Sequence, residues 1–173
     1  FLAPCFNGKE IKAHSEEFIN ISYNDIVKSI EPQMASLFGS DKANKEINDY
    51  CDHIMHSHTQ VRRLNKKSRS WYWDYPATAV ICHDHACLVK RASFSHYPRT
   101  EGWHPVLKSK LEEIGRIGTQ LIGNCAEQHA ANIFMNQLHE DDLCNLYFSI
   151  ALRPRTKEIV HYCDNCKYTF TKL

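Results

Sequence analysis

This sequence lacks an apolar run near the roughly 20 residues that a membrane-spanning helix requires, and it carries almost no net charge. The formal net charge is +1, so binding of nucleic acid would depend on a local cluster of basic residues. Internal repeats and low-complexity segments are also absent, which argues against a repeat array. With 173 residues, of which 43% are hydrophobic and 24% charged, we expect one soluble, monomeric domain with no membrane partner.

The first residues also lack the pattern of a targeting signal. The stretch "FLAPCFNGKE" has no basic segment followed by a long apolar one. Because the sequence begins at Phe1 rather than at Met, we expect a fragment of a larger protein, and its localisation stays open.

Residues 1–74 are polar and helix-compatible, and we interpret them as a helical N-terminal extension packed on the core. Apolar residues recur at three-to-four spacing in "IVKSIEPQMASLF" and "KEINDYCDHIMHSHTQVRRL", as they do in amphipathic helices. We expect Pro32 and the turn-like "FGSDK" to break this region. The core is then expected over residues 75–173.

Residues 75–173 contain both strand and helix patterns. Two runs rich in strand-forming residues, 78–82 and 86–94, predict a β-hairpin, and "LYFSIALRP" predicts a central third strand. Between them, Pro105 begins a predicted helix that extends to about residue 119, and Asn124 is the predicted N-cap of the next helix. A final helical turn or two follows in "YCDNCKYTF". This order predicts an α/β domain with a small sheet flanked by helices.

The eight cysteines show the clearest chemical pattern. Their even number would suit a set of disulfides, but a domain of this size does not need such cross-links. Cys163 and Cys166 form a C-x-x-C at a predicted helix start, where two thiolates can bind one zinc ion. Taken alone, this pair is compatible with a redox pair, with half of a structural zinc site or with no function.

Cys125 begins a different predicted helix and offers a third sulfur ligand. Three protein ligands leave the fourth zinc position open, which is typical of catalytic rather than structural zinc. Glu127 would lie close to such a metal without binding it, and it could carry a proton between water and a substrate nitrogen. The pattern is therefore C-x-E followed, after 35 intervening residues, by C-x-x-C.

The segments "CAE" at 125–127 and "CDNC" at 163–166 resemble the signature of the zinc-dependent cytidine and nucleobase deaminase superfamily, [H/C]-x-E followed by P-C-x-x-C. The likeness covers roughly residues 77–173, with Tyr162 where the signature has proline. The stretches "GNCAEQHAAN", "FSIALRPRT" and "YCDNCKYTF" are most similar to the C-terminal deaminase toxin domains of bacterial polymorphic toxins.

This resemblance implies a three-layer, cytidine-deaminase-like α/β fold with a small mixed sheet. It also implies a zinc ion held by Cys125, Cys163 and Cys166, with Glu127 as the catalytic proton carrier. The implied reaction is hydrolytic deamination of cytosine to uracil in nucleic acid, with single-stranded DNA preferred and RNA as a second substrate. A delivered toxin domain of this kind would act in a target-cell cytoplasm and would have a cognate immunity protein.

Basic and aromatic residues predict contacts to such a substrate. The segment "RRLNKKSRSWYWDY" places five basic residues before Trp71, Tyr72 and Trp73, an arrangement that suits phosphate binding and base stacking. The alternative interpretation of this segment is a solvated helix end followed by aromatic residues packed in the core. For the loop after the hairpin, described next, the alternative is that its residues pack the loop itself. The loop after the hairpin would lie at the mouth of a deaminase pocket and supplies His96, Tyr97, Arg99, Trp103 and His104.

Arg153 and Arg155 follow the predicted central strand, in "RPRT", and are further candidates for contact with the substrate. Three thiolates on one zinc ion carry an excess negative charge, which would make bound water less acidic. We therefore expect one of these arginines to offset that charge by donating a hydrogen bond to a ligand sulfur.

Two other functions stay compatible with the sequence. A deaminase of free cytidine or another small nucleoside or base would need no phosphate-binding surface. A non-catalytic zinc-binding interaction module would close the metal site with a fourth ligand, His129 or His161. In that module Glu127 would be an ordinary first-turn carboxylate favoured by the helix dipole.

Overall fold

The computed structural model describes the backbone of residues 23–173 and the side chains of residues 39–173, so the first part of the predicted extension lies outside the described residues. Helix α1 spans Tyr23–His56 and continues through Pro32 and "FGSDK", where the sequence predicted a break. At Gly39, a β-carbon would lie 2.7 Å from the carbonyl oxygen of His85, so the glycine permits close packing of a continuous helix. Within the described residues, no helix combines the length and apolar character needed to cross a bilayer.

A two-stranded antiparallel ribbon follows α1. Strands β1 (Val61–Leu64) and β2 (Trp71–Asp74) form it, so the expectation of a helical extension is wrong for these residues. The helix does not continue because His58 adopts a left-handed backbone conformation, with φ 50°, and because the aromatic residues of β2 favour extended structure. Asn65 stabilises the turn, since its side-chain oxygen accepts hydrogen bonds from the next backbone N–H groups at Lys67 and Ser68.

The main sheet contains short strands on both sides of β3. Its strand order is β4-β3-β6-β7, with β5 also paired to β3, and every pair is antiparallel. The expected combination of helices with a small sheet is confirmed, whereas the expected mixed sheet is wrong. Both β3–β4 and β6–β7 are hairpins, and the chain returns from β4 to the other side of β3 in the antiparallel direction. The strands are β3 (Ala79–His83), β4 (Lys90–Phe94), β5 (Tyr147–Phe148), β6 (Ala151–Leu152) and β7 (Ile159–Val160).

The predicted central strand "LYFSIALRP" is interrupted between β5 and β6. Phe148 pairs with Cys82 and Leu152 pairs with Ala79. The segment 148–152 therefore has one residue more than the segment 79–82 that it opposes on β3, which defines a β-bulge. Ser149 lies at this bulge and is fully buried. Its hydroxyl accepts a hydrogen bond from the backbone N–H of Ile81 at 2.9 Å, so a side chain satisfies a group in the interrupted ladder.

Helices cover both faces of the main sheet and so create three layers. On β3, Ala79 and Ile81 belong to the apolar cluster that includes α1, while Val80 and Cys82 belong to the cluster on the opposite face. All five residues of β3 are buried, as expected for a strand covered on both sides. The second face is covered by α2 (Pro105–Ile114), α3 (Ala126–Leu138) and α4 (Asp164–Thr169), with a 3₁₀ turn at Leu143–Asn145.

Helix α2 begins at Pro105, as the sequence predicted, but it ends earlier than residue 119. Gly115 follows the last helical residue with φ 72°, and its backbone N–H donates to the carbonyl of Leu111. A residue without a side chain adopts a backbone conformation with positive φ at little cost, so Gly115 sets the end of the helix.

We expect Ser149→Ala to lower the free energy of unfolding by about 1–3 kcal/mol, because the buried N–H of Ile81 would lose its acceptor. Urea denaturation followed by circular dichroism measures this change. Ser68→Ala, in the exposed turn of the ribbon, is the matched control and should shift stability by no more than about 0.5 kcal/mol. Equal stability of the two variants would contradict the role of the bulge serine.

Candidate metal centre

Two helix starts bring three cysteine side chains together. Cys125 immediately precedes α3, and Cys163 immediately precedes α4; neither side chain caps its own helix, so both sulfurs are available to other partners. The predicted cap of α3, Asn124, instead donates from its side chain to Gln120. Cys166 lies in the first turn of α4 and is fully buried.

The three sulfur atoms form a cluster in which every pair lies within 4.8 Å. Cys125 Sγ and Cys163 Sγ are 3.2 Å apart, well beyond the disulfide bond length of about 2.05 Å. Tetrahedral zinc–sulfur bonds of about 2.3 Å place two sulfurs about 3.8 Å apart, so small side-chain shifts would fit this cluster to a metal ion. The structure thus brings together the three cysteines that the sequence singled out, and their donor set is compatible with zinc.

Contacts within the cluster change the proton affinities of its thiols. Hydrogen bonds with Cys125 and Cys166 hold the pKa of the Cys163 thiol well below its usual range. Hydrogen bonds with Cys125 and Cys163 raise the pKa of the Cys166 thiol, and the hydrogen bond with Cys163 raises the pKa of the Cys125 thiol. The contacts within the cluster thus favour the thiolate form at Cys163 and the protonated form at Cys125 and Cys166.

Glu127 lies beside the cluster on the first turn of α3. Its Oε2 atom is 3.9 Å from Cys166 Sγ, and the residue is only 4% exposed. Burial raises the pKa of the Glu127 carboxyl to about 7, and the negative charge of Cys163 adds to this effect. Among the described residues, only the three sulfurs belong to the group of ligand atoms that all lie within 4.8 Å of one another. Glu127 is therefore a neighbour of the cluster and not a member of it.

The two histidines proposed as a fourth ligand also lie outside this cluster. His129 is buried, and its ring stacks on His96 with 3.5 Å between the ring centroids. Burial lowers the pKa of His129 to about 4, which keeps the imidazole neutral at physiological pH. Its Nε2 atom has no hydrogen-bond partner within the side chains that the structure describes. His161 is exposed to solvent.

A buried amide pair connects the two helices that carry the cysteines. The side-chain nitrogen of Gln128 donates to Asn165 Oδ1 at 2.9 Å and to Cys166 Sγ at 3.6 Å. Its side-chain oxygen accepts from the backbone N–H of Gly123 at 2.6 Å, and Asn165 donates to the carbonyl of Gly115 at 2.7 Å. Sequence reasoning missed both amides. The available signal was their position, since each directly adjoins a residue of the C-x-E or C-x-x-C pattern.

Tyr162 fixes the segment that enters α4. Its hydroxyl donates to the backbone carbonyl of Ser149, at the β-bulge, over 2.8 Å. Burial raises the pKa of this phenol to about 12, so it stays a donor at neutral pH. A hydrogen bond to the sheet therefore holds the residue before Cys163, at the position where the deaminase signature has proline.

The centre thus combines three converging thiols, a buried carboxylate beside them and a buried amide pair that joins their helices. No protein-family model, curated protein or solved structure matches this chain. The chemistry of the centre therefore follows from its own geometry and donor atoms.

A groove of about 690 Å³ opens between the ribbon and the end of β4. Five of the residues predicted to bind substrate line it, namely Trp71, Trp73, His96, Tyr97 and Arg99. The rings of Trp71 and Tyr97 contact each other edge-on, with centroids 5.1 Å apart. The structure therefore brings two segments that are distant in sequence to one surface.

Trp103 and His104 belong to the same predicted loop but lie away from this groove. Trp103 is 9% exposed and packs edge-on against His129 in the core. His104 caps α2, and its Nε2 atom lies 3.0 Å from a carboxylate oxygen of Asp141. Both residues point inward because the chain must enter α2 at Pro105, whereas the earlier part of the loop stays at the surface.

Arg153 and Arg155 also have partners other than the cysteine cluster. Arg155 donates to Asp74 at 2.5 Å, and Arg153 lies 3.8 Å from a carboxylate oxygen of Glu158. Both guanidinium groups are thus directed to carboxylates on the surface. Within the described residues, the side-chain N–H donor to a sulfur of the cluster is Gln128, and not an arginine as the sequence led us to expect.

We expect the purified protein to contain about one bound metal ion per chain, and Cys163→Ser to lose most of it. The physical reason is that the serine hydroxyl is a far poorer ligand than a thiolate for a soft metal site. Inductively coupled plasma mass spectrometry after dialysis measures the content. Cys144→Ser changes an exposed cysteine in the same way and should keep the metal. A low metal content in the unchanged protein would contradict the site.

We expect Gln128→Ala to weaken metal binding by about 10–100-fold, because the amide orients Cys166 and Asn165. Competition with a chromophoric chelator measures the affinity. Gln137→Ala, an exposed position further along α3, is the matched control. Unchanged affinity in Gln128→Ala would show that the amide pair has no part in positioning the cluster.

Proposed function

We propose that this protein is a zinc-dependent hydrolytic deaminase that converts cytosine to uracil in nucleic acid, with single-stranded DNA as the preferred substrate. The observation that carries the proposal is the position of Glu127, a buried carboxylate 3.9 Å from Cys166 Sγ and outside the group of three converging sulfurs. A three-ligand metal site with a carboxylate beside it has the parts required to hydrolyse an amidine-type C–N bond.

The residues of the chain divide the reaction between them. Cys125, Cys163 and Cys166 would hold the zinc ion, which supplies Lewis-acid activation of water when bound. Glu127 would take a proton from the attacking water and return it to the amino nitrogen, so that cytosine and water give uracil and ammonia. Its burial excludes bulk water and keeps the carboxylate near the cluster.

The positions of the histidines support catalysis over a purely structural metal site. A structural zinc site is closed by four protein ligands, whereas the ligand atoms in mutual contact here number three within the described residues. His129 is held instead in a stack with His96.

Deamination of defined substrates tests the proposal. The metal-loaded protein is incubated with single-stranded DNA, duplex DNA, RNA and free cytidine, and conversion is measured by sequencing and by mass spectrometry. We expect uracil to form fastest in single-stranded DNA. Glu127→Gln should retain metal but lower the rate by about 10²–10⁴-fold, because it removes the proton carrier without changing the size of the side chain.

Glu112→Gln, at an exposed position of α2, is the control and should retain full activity. Metal binding without conversion of any of the four substrates would favour a non-catalytic zinc module. Full activity in Glu127→Gln would refute the proposed mechanism.

A further inference from the structure

One face of the ribbon carries aromatic and basic side chains together. The strand register places Arg62 opposite Trp73 and Leu64 opposite Trp71. Because side chains alternate between the faces of a strand, these four residues share one face, and Tyr72 lies on the other. The guanidinium carbon of Arg62 lies 5.4 Å from the centre of the Trp71 ring, in a cation–π contact.

The aromatic side chains of this face are unusually open to solvent. Trp71 is 43% exposed and Trp73 is 64% exposed, and both line the groove of about 690 Å³. The two indoles occupy alternate positions of β2, about 6.6 Å apart along the strand. This rise is close to twice the roughly 3.4 Å spacing of stacked bases, so the strand spacing is compatible with one base between the two indoles.

The charge around the groove suits a polyanion. Arg62 and Arg99 line the groove, and neither forms an ion pair with any carboxylate in residues 39–173. Lys66 also lines the adjoining groove and likewise has no such partner there. By contrast, Arg63 is paired with Asp74 at 3.0 Å. Arg63 also lines the adjoining groove, so among the described residues the unpaired basic groups at the two grooves are Arg62, Arg99 and Lys66.

A second groove continues from the first toward the start of α3. It has a volume of about 340 Å³, shares Arg62 and Trp71 with the first groove and extends to Asn124, the residue immediately before Cys125. His96 lines both grooves. Its ring stacks on His129, which lies one helical turn after Cys125 on α3. A chain that lies along both grooves therefore approaches the start of the helix that carries Glu127.

We propose that the ribbon is a single-strand-binding element, in which Trp71 and Trp73 stack on unpaired bases while Arg62 and Arg99 contact the phosphates beside them. That the bound nucleic acid continues toward the metal centre rests on the proposed function. Its binding in the groove does not depend on that function. Aromatic stacking tolerates any base, so this element selects unpaired over paired nucleic acid rather than a particular sequence.

Binding is tested in the metal-loaded Glu127→Gln protein, so that no reaction intervenes. Fluorescence anisotropy of labelled oligonucleotides compares single-stranded DNA, RNA of the same sequence and duplex DNA. We expect Trp71→Ala and Trp73→Ala each to weaken single-strand binding by about tenfold. Arg62→Ala and Arg99→Ala should each reduce the slope of log affinity against log salt by about 0.7.

Two matched controls separate the groove from general effects on folding. Tyr72→Ala removes an aromatic side chain from the other face of the same ribbon, and Lys45→Ala removes an exposed charge from α1. Both should bind as the parent does. Equal losses in Tyr72→Ala and Trp71→Ala, or equal affinity for duplex and single strand, would overturn this inference. Groove-dependent binding without deamination by the unchanged protein would instead refute only the proposed activity.

Discussion

The hydrogen bond between the side chains of Gln128 and Asn165 is the contact on which the candidate centre depends. It joins the first turns of α3 and α4, the two helices whose starts present the cysteines. Each amide also satisfies a backbone group in a loop, at Gly123 or Gly115, so four segments of the chain are tied together. Buried polar groups are costly unless they are satisfied, and a fully satisfied set specifies one arrangement of its neighbours.

The sheet contributes to the same arrangement through its irregularity. The N–H of Ser149 donates to the carbonyl of Ile81 on β3. In a regular antiparallel pair the carbonyl of Ser149 would accept from the N–H of Ile81 in return, and it would not be free for the segment before α4. The bulge frees the carbonyl of Ser149 to accept the hydroxyl of Tyr162, while the serine side chain serves the N–H of Ile81. The position of Cys163 is thus coupled to the middle of the sheet.

Sequence spacing was sufficient to single out the chemical groups that meet at the centre. A C-x-x-C and a C-x-E, each at a helix start, led to the three cysteines and the neighbouring glutamate because local spacing determines which side chains leave a helix start together. The directions of the strands and the inward turn of Trp103 depend on long-range packing, which local patterns do not encode. The apolar spacing of α1 continues through Val61 and Leu64 and so predicts a helix there, but strand pairing overrides that local preference.

The ribbon shares no strand pairing with the main sheet. Its attachments are side-chain contacts such as Asp74 with Arg155 and Trp71 with Tyr97. It is therefore a modular part of the molecule. Substitutions or changes of length in its turn can accumulate without disturbing the ladder of β3 or the network beneath the cysteines. A lineage could in this way change the surface of the groove by exchanging one hairpin, while the three cysteines and the amide pair stay the same.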